Sequence, residues 1–161
     1  MESTPSDDRP WIASDLRWPV PLRLPRAARD EVERRSREAH PHEACGLLVG
    51  SASAEAVRVV RAERAANVER DRAHDRFTLA PEDWLRIETA ARDQGLEVVG
   101  IWHSHPDHPA LPSATDLAAA WEGYAYLIVR VGPGGVADWR AWQLEGRRFL
   151  PQEIEIRGIE P

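Results

Sequence analysis

The sequence predicts an α/β domain, with helices arranged around one mixed sheet. Leu96–Trp102 is a nearly continuous apolar run, the pattern of a strand covered on both faces. Short β-branched runs recur on either side of it, and two or three other stretches carry helical spacing with start and stop signals. The chain has 161 residues, 42% of them apolar, which suits a single domain with a sizeable core.

Residues 1–20 are rich in Pro, Ser and Asp and show no period. Trp11, Ile12 and Trp18 are among the large apolar groups there. A flexible N-terminal tail, or an arm docking through its tryptophans, is expected, followed by one folded domain over residues 21–157. Pro25 and the early acids of the next stretch open a predicted helix over about 26–40. Its apolar stripe of Ala28, Val32 and Ala39 is thin, so Arg stems must help to pack it. Cys45–Gly50 and Ala56–Val60 read as a hairpin, and Arg76–Leu79 as a further short strand. Pro81–Gln94 is the best helix, opening on Pro, Glu and Asp and ending before Gly95. Pro106 is expected to stop the central strand, and a helix is expected over Ser113–Glu122. Tyr124–Val131, Val136–Leu144 and Phe149–Ile156 are the remaining strand candidates.

Composition excludes several function classes. Every one of the 21 basic residues is Arg, so chemistry that needs a lysine amine, such as Schiff-base formation, is ruled out. Residues 1–80 hold 14 acids against 14 Arg, and residues 81–161 hold 13 against 7, which puts the net charge of −6 in the second half. That balance is the opposite of a basic nucleic-acid face, so no nucleic acid is expected as a partner. No apolar run is long enough to cross a bilayer, and no membrane is expected. The single cysteine, Cys45, allows neither an internal disulfide nor a multi-cysteine zinc site. The start lacks a secretory pattern, so the cytoplasm is the expected compartment.

The chemistry is concentrated in His103-Ser104-His105-Pro106, followed after six residues by Ser113-Ala114-Thr115-Asp116. On a strand, positions two apart project to one side, so His103 and His105 can aim both imidazoles at one point. Asp116, in the first turn of the next helix, can close a third position and leave a fourth for water, the pattern of a catalytic zinc site. Such a water needs a base, and the candidate is Glu43, which immediately precedes the strand Cys45–Gly50 but which spacing alone does not single out. Each piece also has an ordinary reading. Ser113-x-x-Asp116 is a helix capping box, His-x-His is common on strands, and Cys45 reads as a small buried residue. Their joint occurrence favours the zinc site. The overlapping His-x-His-x-Asp-His pattern is set aside because no further His follows His108.

With these residues in place, the chain resembles the JAMM (MPN+) metalloprotease family, in particular its compact prokaryotic branch. The pattern of that family is a distant Glu, then His-x-His-Pro, six residues, and Ser-x-x-Asp. The resemblance spans roughly residues 22–145 and implies a cytidine-deaminase-like α/β/α sandwich with a mixed central sheet. It also implies one Zn2+ per chain, held by His103, His105 and Asp116, with Glu43 as general base and Ser113 as a hydrogen-bond donor to the oxyanion. The implied activity is hydrolysis of a peptide or isopeptide bond after the C-terminal Gly-Gly of a ubiquitin-like or sulfur-carrier protein. The alternative is a non-catalytic MPN-type interaction module, versions of which typically lose the ligands. Trp102 stands where many relatives carry Tyr; being out of phase with His103, it is expected to pack into the other face.

Overall fold

The computed structural model describes residues 19–158. The element order is β1 (Leu22–Pro25), α1 (Arg26–Ala39), β2 (Cys45–Ala52), β3 (Val57–Ala65), α2 (Pro81–Asp93) and β4 (Glu97–Pro106). Then come α3 (Ala114–Ala119), β5 (Ala125–Gly132), β6 (Gly135–Glu145), β7 (Arg148–Gln152) and β8 (Ile154–Arg157). The eight strands form one sheet in the order β7-β6-β5-β4-β2-β3-β1-β8. It is mixed: β4 runs parallel to β5, β1 runs parallel to β3 and β8, and the other pairs are antiparallel.

The central strand owes its position to its composition. Alternate residues of β4 feed two separate cores, as the apolar run predicts. Trp102 joins Leu48, Leu127 and Val129 on the face covered by α1, while Ile101 joins Leu47, Tyr126 and α2 residues Ile87 and Ala91 on the other. Helices therefore lie on both faces, as the α/β reading requires. Trp102 is fully buried in the α1 face, where its Nε1 donates to the Glu63 carbonyl at 3.2 Å. Gly46 makes that packing possible: a Cβ there would lie 2.0 Å from the Glu63 oxygen and 2.4 Å from the indole nitrogen.

Both long helices follow their signals. In α1 the buried residues are Ala28, Val32 and Ser36, and Arg29 lies over the Trp139 ring at 5.0 Å, the expected borrowing of an arginine. Its first turn holds no acid and Pro25 sits at the N-cap, so the early acids fall one turn later than expected. In α2, Pro81 starts the helix, Glu82 and Asp83 occupy its first turn, and Gly95 follows its end with φ of +72°.

Four expectations need correction. Arg76–Leu79 is not a strand; it contributes a single bridge, Asn67 to Leu79. The helix predicted over Ser113–Glu122 ends at Ala119, and the Tyr126 hydroxyl holds both the Trp121 N–H and the Trp121 carbonyl in a non-helical turn. β1 was hidden between prolines. The predicted strand Phe149–Ile156 divides at Glu153 into β7 and β8, which lie at opposite ends of the sheet order. One residue cannot span a flat eight-stranded sheet, so the sheet curls until its edges meet. Gln152 Nε2 donates to the Val20 carbonyl, and Leu22 N–H to the Glu153 carbonyl, across that seam. The tail expected before residue 21 falls mainly outside the described residues, although Val20 is buried in the core. Among the described residues no helix is long and apolar enough to cross a membrane.

Candidate active site

The register between β2 and β4 carries Glu43 to the histidines. Cys45 pairs with His103 and Gly46 with Trp102, so one step further Ala44 faces Ser104 and Glu43 faces His105. Two hydrogen bonds confirm the continuation: Ser104 N–H donates to the Ala44 carbonyl at 3.0 Å, and Ala44 N–H donates to Ser104 Oγ at 2.8 Å. Glu43 is 3% exposed, with Oε1 3.8 Å from His105 Nε2.

His103 and His105 point to the same face, as two-residue strand spacing requires. Their Nε2 atoms are 3.1 Å apart, and Asp116 completes a triangle, its Oδ1 3.3 Å from His103 Nε2 and its Oδ2 3.2 Å from His105 Nε2. The capping box is also present. Asp116 N–H donates to Ser113 Oγ at 3.0 Å, and Ser113 N–H donates to Asp116 Oδ2 at 2.8 Å. The capping box does not compete with the approach to the histidines, because the cap aims the carboxylate at them.

The three side chains answer one another electrostatically. His105 Nδ1 lies 2.7 Å from the Pro109 carbonyl, an acceptor, so in the neutral ring Nδ1 carries the proton and Nε2 presents a lone pair. That lone pair faces a carboxylate oxygen and a second imidazole nitrogen. Burial pushes His103 towards its neutral form, against the pull of Asp116. Burial also pushes Asp116 up, but the facing His103 and His105 rings and the Ser113 N–H outweigh it and hold the carboxyl well below the usual range. The result is an ionised carboxylate held between two buried imidazoles, three side chains grouped closely enough to share one cation.

A tetrahedral zinc ion with ligands at 2.0–2.1 Å has ligand-to-ligand edges of about 3.3 Å. The observed triangle fits that edge, so one cation could sit among its corners. Glu43, His105 and His108 form a second cluster of possible ligands. There the His105 and His108 rings stack at 4.2 Å and 21°, so their in-plane lone pairs run side by side. The His103 and His105 rings are tilted by 56° and converge. The donors therefore favour His103, His105 and Asp116. Beside them, burial pushes the Glu43 carboxyl up to about 8, with the charges of Asp116 and Asp75 adding to the effect.

Residues 25–145 match the family described as prokaryotic homologs of the JAB domain. The chain belongs to this family. It is 34% identical to a desampylase of Haloferax volcanii, over 83% of this chain and 96% of that one. A CysO-cysteine peptidase of Mycobacterium tuberculosis is also 34% identical, over 58% of this chain and 62% of that one. The fold superposes on a solution structure from Desulfitobacterium hafniense with a TM-score of 0.76 and 28% identity, covering 85% of this chain and 93% of the other. These relatives bear out the resemblance to the compact prokaryotic branch and make this JAB-domain protein a JAMM-type peptidase.

Several residues around the site went unrecognised in the sequence. Ser104 lies out of phase with the histidines, and nothing in the pattern revealed its clamp on Ala44. Phe77, assigned to a strand, instead stacks on His103 at 4.4 Å. Asn67 lies in an unpatterned stretch, yet its side chain reaches the Glu43 carbonyl. Cys45 is buried, its thiol pushed up to about 12 by burial and next by Glu43, which fits its reading as a packing residue. A cavity of about 720 Å³ opens beside His103 and Asp116, with Phe77, Leu79, Trp84, Trp121 and Tyr124 in its wall.

Proposed function

We propose that this JAB-domain chain is a zinc-dependent peptidase that cleaves the bond after the C-terminal Gly-Gly of a ubiquitin-like, sulfur-carrier type protein. The carrying observation is the donor triangle of His103, His105 and Asp116 with Glu43 directly across the strand pair. These three residues would hold the metal. Zinc, when bound, polarises the scissile carbonyl and lowers the pKa of a water to about 7.

The remaining roles fall to the chain itself. Glu43 takes the proton of the attacking water and delivers it to the leaving amine. Ser113 Oγ already accepts the Asp116 N–H, so its own proton stays available for the developing oxyanion. The substrate tail has an edge to pair with. In the 76–79 segment, Thr78 N–H and the Arg76 and Thr78 carbonyls bond inward, whereas the backbone groups of Phe77 and Leu79 face no partner among the described residues. This unpaired edge lies along the cavity beside His103, which suits an extended peptide bound by strand addition. Glycines at the cleavage point would let the tail backbone approach the metal without a Cβ in the way.

The test is mass spectrometry of carrier fusions ending in Gly-Gly-X, incubated with zinc-loaded protein. Cleavage after the second glycine, abolished by chelation and restored by zinc, is the expected result. Intact fusions across a panel of ubiquitin-like carriers would overturn the substrate assignment.

A further inference from the structure

Asn67 uses the full hydrogen-bonding capacity of its amide. Nδ2 donates to the Glu43 carbonyl at 3.1 Å and to the Arg76 carbonyl at 3.0 Å. Oδ1 accepts from Glu69 N–H and from Thr78 N–H, both at 3.0 Å. One side chain therefore fills the inner edge of the 76–78 segment and grips the residue that carries the candidate base. Glu43 N–H is held by the same loop, donating to the Ala73 carbonyl at 2.6 Å. Both backbone polar groups of Glu43 thus depend on the 66–80 loop. The outer edge of that loop, at Phe77 and Leu79, is the one left unpaired.

We propose that Asn67 is a positioning residue that couples occupancy of the Phe77–Leu79 edge to the placement of Glu43. The inference rests on the reading of Glu43 as the base and of this edge as the tail site. A tail pairing with Phe77 and Leu79 stiffens the segment from outside. Asn67 passes that order through Arg76 and Thr78 to the Glu43 backbone, and the carboxylate is then held over the scissile bond. A purely structural loop staple would stabilise the fold without linking the two events.

Asn67→Asp is the selective variant, because it keeps the acceptor for Glu69 and Thr78 and replaces the donor to Glu43 and Arg76 with an oxygen. Asp83→Ala is the control: Asp83 Oδ2 accepts Ala66 N–H at 2.8 Å and pins the same loop without touching Glu43. With zinc content unchanged, N67D should lower kcat on a carrier fusion by about 10- to 100-fold, the scale of a displaced catalytic group. D83A, compared at equal distance below its Tm, should keep kcat within about twofold, as an independent site does. Wild-type kcat in N67D, or an equal loss in D83A, would overturn the coupling. Amide exchange supplies a measurement that does not depend on N67D folding. Titrating folded E43Q with a Gly-Gly tail peptide should protect the residue-43 amide together with those of 76–78, and protection confined to 76–78 would also overturn it. If E43Q retains turnover, it is the base assignment that fails; if E43Q is inactive and N67D is not impaired, only the coupling fails.

Discussion

His103, His105 and Asp116 come from one short stretch of chain, whereas Glu43 reaches them from another strand, and the two halves of the site are secured differently. The half with the candidate ligands is largely self-supporting. Pro106 ends β4, the Pro109 carbonyl fixes the His105 ring, and the Ser113 cap aims Asp116, all within the same loop and helix start. The Glu43 half depends on distant partners: Ser104 on β4 holds Ala44, while Asn67 and Ala73 hold the Glu43 backbone. The contrast suggests that metal binding survives disturbances that misplace the base.

Ligand removal should have the largest effect. His105→Ala and Asp116→Ala should each lose zinc on dialysis, seen by elemental analysis, together with all measurable turnover. Full zinc retention in both would break the comparison at its first half. Glu43→Gln should keep its zinc and lose about two to four decades of kcat, the usual contribution of a general base. A loss of zinc in that variant would mean that Glu43 is a ligand.

Ser104→Ala sharpens the contrast. It removes a fully buried hydroxyl and orphans the Ala44 N–H, at a stability cost of about 1–3 kcal/mol. The wider strand pairing remains, so zinc should be retained, while kcat falls about tenfold through misplacement of Glu43. Equal losses of zinc and of rate would show that the two halves are not separable.

The smallest effect is on the pH dependence of the metal-free protein. Glu43 has its carboxyl raised from 4.5 to about 8 in the folded chain, so folding favours its protonated form. Its contribution is fully present below about 4.5 and is lost as pH rises through about 8. His103 acts oppositely below 6.5, because its lowered pKa makes acid unfavourable to the fold. Melting of the chelated protein should therefore show wild type losing Tm relative to E43Q from about pH 5 to about 8, and no further above that. Parallel curves would sink this account of the Glu43 environment.

The chemistry-bearing residues were legible because their spacing is local. A two-residue alternation placed His103 and His105 on one face, and Ser113-x-x-Asp116 marked a helix start whatever else it does. The helix Pro81–Gln94 and the strand ending at Pro106 were legible for the same reason, since caps, breakers and periodicity act over a few residues. Glu43 stood out through family resemblance, because no spacing rule links it to a histidine far along the chain.

What the sequence by itself determined was the alternation that feeds both faces of β4, the caps and stops of the long helices, and the choice of His103, His105 and Asp116 as candidate metal ligands. Only the tertiary structure decided that β2 pairs with β4 in the register that sets Glu43 opposite His105, that β7 and β8 close the sheet through Glu153, and that Asn67 joins the 66–80 loop to Glu43. Those outcomes depend on which distant backbone groups find each other when the sheet curls and buries its two cores. Pairings of that kind leave no periodic trace in the order of the residues.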